Sequence, residues 1–207
     1  MDGEGYMIGR RHFLIGAVVA TTLGRIAGAA PAAGWPARLV AAAQAQIGVT
    51  VTYDPAYVRL AYPDGDVPRD RGVCTDVVIR AYRDAFGIDL QRLVHEDMRA
   101  NFSRYPQSWG LKRPDPNIDH RRVPNLQAFF RRLGQALPPD TALAELAEGD
   151  LVTQMLPGNL PHIAVVTGLR GGSGAPLAVH NIGGGARLED RLADFPITGR
   201  YRFPPRS

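Results

Sequence analysis

From Pro36 to Ile47 the apolar positions Leu39, Val40, Ala43 and Ile47 recur at helical spacing, and Gly48 supplies a stop. Val49 to Tyr53 alternates like a short extended segment, after which Asp54-Pro55 and Pro63-Asp64-Gly65 mark turns. The prolines and charges of residues 54–72 predict a loop. A second helix is signalled by the apolar stripe Val77, Val78, Ala81, Tyr82 and Ala85, closed by Gly87. Thr75 and Asp76 stand at its front, where short oxygen-bearing side chains cap free N–H groups. Residues 98–123 show neither period and read as loop. A further helix is expected from Pro124 to Leu133, with proline in its first turn and Gly134 behind it. Beyond Gly149 the period changes to two. Asp150–Met155, His162–Thr167, Leu177–Ile182 and Arg200–Phe203 predict strands between Gly/Pro turns. Helices first and adjacent antiparallel strands second make an α+β layout.

Residues 1–30 follow another plan. Residues 9–15 read Gly-Arg-Arg-His-Phe-Leu-Ile, an apolar stretch runs from Phe13 to Leu23, and small residues dominate Ala27-Gly28-Ala29-Ala30-Pro31-Ala32. This is the basic, apolar and small-residue order of a secretory signal, too short in its apolar part to span a bilayer. Arg10-Arg11 followed by Phe13-Leu14 resembles the twin-arginine leader, although a general secretory leader would need only two basic residues. Either route predicts a periplasmic or otherwise exported protein. With no cysteine behind the leader, no lipid anchor is expected after cleavage. Residues 36–207 then form a single domain.

The chain has 207 residues, 45% of them apolar, enough for one real core. Its net charge of +4 falls to +3 without residues 1–30, where Arg10, Arg11 and Arg25 face Asp2 and Glu4. Lys112 is the only lysine, and the arginines are spread without a basic stripe, which argues against nucleic acid as partner. The single cysteine, Cys74, rules out a disulfide within the chain and any multi-cysteine metal site.

A lone thiol at the start of a helix carries chemistry as well as bulk. The thiolate is the nucleophile, and a helix N-terminus favours it while offering N–H groups to an oxyanion. The expectation is therefore a thiol activated below its ordinary pKa and alkylated at about pH 6–7. Such a thiol needs a base, and four histidines lie beyond the leader. His95 stands beside acids and reads as a surface or capping residue, and His120 sits in a polar loop. His162 opens the apolar run Ile163–Val166 and His180 closes Leu177–Val179, on strands joined by the turn Gly171–Gly174. In an antiparallel hairpin they can meet on one face, as a base and the group that orients it. A buried cysteine as a small hydrophobe, and histidines as satisfied core residues, are the bland alternatives. Metal binding through Cys74 and the histidines lacks a supporting HExxH or paired-cysteine spacing, so no metal or cofactor is expected. Gly183-Gly184-Gly185 reads as a turn more readily than as an anion nest.

Cys74-Thr75-Asp76-Val77 through Ala81-Tyr82-Arg83-Asp84-Ala85-Phe86-Gly87 resembles the nucleophile helix of NlpC-type papain-like cell-wall peptidases. Gly149-Asp150-Leu151-Val152 with His162–Gly168, and Val179-His180, resemble their next strands. This resemblance implies a papain-like fold with Cys74 as nucleophile, His162 as base and His180 as orienting residue. Thr75-Asp76 departs from the Ser-Gly usual there, and residues 98–123 look like an insertion. More closely, the mature chain resembles the bacterial domain-of-unknown-function family 1287. Tyr53-Asp54-Pro55, Gly65–Pro68, Gly72–Asp76, Asn117–Leu126 and His180–Gly183 carry that likeness over about residues 40–203.

The function expected is hydrolysis of an amide bond, in peptidoglycan stem peptides or another envelope peptide. The substrate-binding residues expected are Asp76, Trp109, Asp119, His120, Arg121 and Asn181, with residues 98–123 as a binding lid. Asp119 either contacts substrate or pairs with Arg121 or Arg122. A papain-like binding domain without turnover, and a thiol acyltransferase sharing the acyl-enzyme, are the alternatives.

Overall fold

A computed structural model describes residues 34–205; the leader expected at residues 1–30 lies outside them. Helix α1 spans Trp35–Gln44, with Pro36 in its first turn and Leu39, Val40 and Ala43 buried. It ends before Ile47, which is exposed beyond it. A short parallel pair, β1 (Thr52–Tyr53) with β2 (Arg71–Gly72), closes the 54–70 loop. Helix α2, Cys74–Phe86, is buried from Cys74 through Tyr82 and stops at Gly87, whose N–H returns to Arg83 O with φ +67°. Helix α4 spans Val123–Arg132, with a proline in its first turn.

Residues 98–101, expected as loop, belong instead to helix α3, Leu90–Asn101, capped by Asp89 accepting from Gln91 N. Its sequence hides it, because one buried position is polar. Gln91 takes the Gly65 N–H and donates to Ala61 O and Pro116 O, bonding work inside the core that leaves only a thin apolar stripe. Beyond it the segment to Arg122 is irregular apart from two 3₁₀ turns, Phe102–Arg104 and Asp119–Arg121.

The second half is an antiparallel sheet: β3 (Leu151–Leu156), β4 (Leu160–Arg170), β5 (Pro176–Asn181), β6 (Ala186–Glu189) and β7 (Ile197–Tyr201), in spatial order β6-β5-β4-β3-β7. The alternation of β4 divides the core. Ile163 and Val165 join the cluster containing the helices, while Ala164 and Val166 join a smaller one with Leu146, Ala175 and Leu192. β6 is the strand without a counterpart in the sequence pattern. Gly185, with φ +84°, starts it so close to the 50–51 backbone that an added Cβ would stand 2.5 Å from Thr50 O. The glycine triplet thus serves as a turn. The mixed α+β class, helices followed by an antiparallel sheet, is established.

Arg80 fastens α2 to the loop before it. Fully buried, it donates to both Asp66 oxygens, Thr50 Oγ1 and the carbonyls of Val67 and Arg71. A lysine there keeps the charge but loses the fork that satisfies these acceptors together. Arg80→Lys is expected to cost about 3 kcal/mol, the scale of the charged hydrogen bonds lost and the buried acceptors left unsatisfied. Thermal denaturation should show a Tm drop of roughly 10 °C at this chain length.

Candidate active site

Cys74 is the first residue of α2, and its position is set by the residues on either side of it. Asp76 reaches back to accept the Val73 N–H at 2.7 Å and takes two hydrogen bonds at 2.9 Å from Arg121. Arg121 extends to the carbonyls of Ala56 and Asp54, and its own carbonyl accepts from Thr75 Oγ1. Asn181 donates to Gly72 O. Gly72 has no room for a side chain, since a Cβ would lie 2.9 Å from Asp76 Oδ2. The helix start is therefore held by a carboxylate, a guanidinium and an amide, all buried.

The thiol meets the sheet at β4. Pairing of β4 with β5 begins only at Val165↔Val179, which leaves the backbone N–H of Ile163, the residue after His162, near enough to the Cys74 sulfur to favour its thiolate. The N–H groups of Thr75 and Cys74 itself act on it in the same sense. Continuing the Val165↔Val179 register sets Ala164 opposite His180 and leaves His162 on the diagonal, where side chains share a face. The rings meet: His162 Nε2 and His180 Nδ1 are 2.8 Å apart. His180 Nε2 in turn lies 3.1 Å from Glu189 Oε2 on β6. The geometry makes no hydrogen bond there, since both atoms are buried without a partner, so Glu189 brings a carboxylate beside the histidine pair and no more. Sequence reasoning missed it because β6 is short and Glu189 looks like any surface acid. Its separation from Arg187, opposite His180 in the ladder, is the signal that finds it.

Burial dominates the electrostatics. Cys74 is 4% exposed, and desolvation pushes its thiol up to about 12, against the three N–H groups that favour the thiolate. The expectation of a thiol activated below its ordinary pKa is thus overturned: a helix start lowers the pKa only where the charge is not also stripped of water. Burial pushes His162 down to about 3, with His180 adding to the effect. His180 is also lowered by burial, while Glu189 works the other way. Thiol and imidazole both rest neutral, and they are not bonded to each other: among the described residues the one side-chain hydrogen bond of His162 is to His180, and neither histidine lines the cavity at Cys74.

A cavity of about 200 Å³ opens at Cys74, walled by Tyr53, Trp109, Arg121, Arg122, Pro124 and Pro161 among others. Of the expected substrate-binding residues, Trp109 and Arg121 lie on this wall. Asp76, Asp119, His120 and Asn181 do not, and all four are buried. Asp119 accepts the Asp115 N–H and approaches Arg122 rather than Arg121. Burial raises its carboxyl to about 6 and lowers His120 to about 3. A larger cavity of about 850 Å³, lined by Tyr57, His95, Arg99, Lys112 and Arg113 among others, shares no residue with the Cys74 cluster.

The family model described as Domain of unknown function (DUF1287) matches residues 40–203. The chain is also 53% identical over 161 residues to the "Uncharacterized protein YijF" of Escherichia coli strain K12, covering 78% of each chain.

The buried histidines set the response to acid. Their folded pKa values lie below the unfolded value near 6.5, so between pH 6.5 and 3 the unfolded chain binds protons that the folded one refuses. Stability is complete above pH 6.5 and falls as pH drops. At pH 4.5 each histidine accounts for up to about 3 kcal/mol at 1.36 kcal/mol per unit. Asp119 opposes them, because its raised pKa favours the folded state as pH falls through 6. Urea denaturation between pH 8 and 4 should show this decline, with a shallower slope in His120→Gln and in His162→Gln. An unchanged slope in both would refute it.

Proposed function

We propose that this chain, which belongs to the family Domain of unknown function (DUF1287), is an exported cysteine hydrolase with a papain-like, NlpC-type fold. Its substrate is an amide bond of the cell envelope, in peptidoglycan stem peptides. The observation that carries the reading is the His162–His180 contact, with the Glu189 carboxylate 3.1 Å from His180 Nε2 and the backbone N–H of Ile163, the residue after His162, near the Cys74 sulfur. The leader-like residues 9–32 support export, and the likeness of the Cys74 helix and the two histidine strands to NlpC-type peptidases supports the substrate class.

The chemistry follows from the neutral resting pair. A neutral imidazole is the competent form of a general base. As the sulfur attacks the substrate carbonyl, the thiol proton passes to His162, and His180, beside the Glu189 carboxylate, stabilises the imidazolium. The same proton goes to the departing amine as the C–N bond breaks, leaving a thioester. Water, deprotonated by His162, then releases the acid and restores the thiol. The N–H groups around Cys74 suit the oxyanion of both steps.

One observation favours a second reading, a binding domain without turnover: the thiol is buried and held protonated. Purified sacculi separate the two. The mature protein is expected to release new amino and carboxyl termini, while Cys74→Ala and His162→Ala lose more than about 10³-fold in rate. Absence of new termini with the unaltered protein would leave the binding reading.

A further inference from the structure

Adjacent arginines wall the Cys74 cavity, and they differ in what they hold. Arg121 is committed to Asp76 and to two backbone carbonyls. The Arg122 guanidinium donates no hydrogen bond among the described residues: its Nη1 is buried without a partner, and the nearest carboxylate oxygen, Asp119 Oδ1, is 3.5 Å away and also without one. The other Asp119 oxygen is taken by the Asp115 N–H, and the Asp115 carboxylate is itself engaged by Asn117 and Tyr57. The Arg122 guanidinium lies over the Trp109 ring, 4.2 Å from its centre, a cation–π contact that uses none of its N–H groups. Trp109, 38% exposed, lines the same cavity.

A guanidinium held against an aromatic ring, incompletely neutralised and lining the same cavity as a thiol suits a planar oxyanion, which it can grip through two parallel N–H groups. We infer that Arg122 is the specificity-determining residue of this site and that it takes a carboxylate of the substrate next to the bond attacked by Cys74. Arg121, the arginine the sequence put forward, is a positioning residue for the helix start. The inference names the substrate class of the proposed hydrolase and so rests on that reading, but the contact it describes is made on binding and does not need turnover.

Two alkylating reagents of nearly equal size probe it. Iodoacetate carries a carboxylate and iodoacetamide does not, and each loses iodide as the sulfur–carbon bond forms. The ratio of their rates at Cys74, with Cys74→Ala as blank, should be higher than for a free cysteine. It should fall roughly tenfold in Arg122→Gln, the scale of one charge-assisted hydrogen bond, and be only partly restored in Arg122→Lys, which keeps the charge but not the fork. Acetate should protect Cys74 from both reagents in the unaltered protein, whereas acetamide, or chloride at equal ionic strength, should not. That arm stands even if Arg122→Gln does not fold. An equal ratio in the protein and in folded Arg122→Gln, no protection by acetate, or failure of both reagents to reach Cys74 would each overturn the inference. A ratio that moves while sacculi stay intact would sink the hydrolase reading and leave the carboxylate site standing.

Discussion

The carboxylate of Asp76 joins three stretches of chain that are far apart in sequence. It caps the start of α2 through Val73, and through Arg121 it ties that helix start both to the 3₁₀ turn before α4 and to the loop carbonyls at Asp54 and Ala56. Both charges are buried, so either one alone would be left uncompensated in a medium that punishes it. The pair therefore permits one arrangement of the cavity wall. The position of Cys74, the commitment of Arg121 and the availability of Arg122 all follow from it.

Water exclusion sets the character of the site more than any single charge. The features that favour a thiolate are present, yet burial outweighs them, as it does at His162. A site of this kind stores no ionic pair while empty. Its histidine pair is poised to receive charge that arises when a carbonyl is attacked, which is when a low dielectric makes fixed dipoles most effective.

Much of this was readable from residue order. The stripe of α2 with its closing Gly87, the first and last helices, and three of the five sheet strands follow from periodicity, while β7 begins three residues before the expected Arg200 and ends at Tyr201. The meeting of His162 with His180 follows from hairpin arithmetic. What stayed hidden shares one cause: polar residues doing interior work. Gln91 bonds inside the core and disguises α3. Asp76 and Arg121 look like a solvent-facing acid and base but neutralise each other out of water. Glu189 sits on a four-residue strand too short to announce itself. Nothing in a linear pattern says whether a polar side chain faces water or another polar side chain.

Asn181 makes one more connection. It directly follows His180 on β5, and its amide holds the carbonyl of Gly72, two residues before Cys74. The histidine strand and the nucleophile loop are therefore a single mechanical unit, linked through a bond that spans 109 residues of chain. Local opening cannot expose one without loosening the other. Backbone amides around residues 72–76 and 180–183 should belong to the same cooperative unit in hydrogen exchange, so the molecule loses its thiol and its imidazoles together or keeps both.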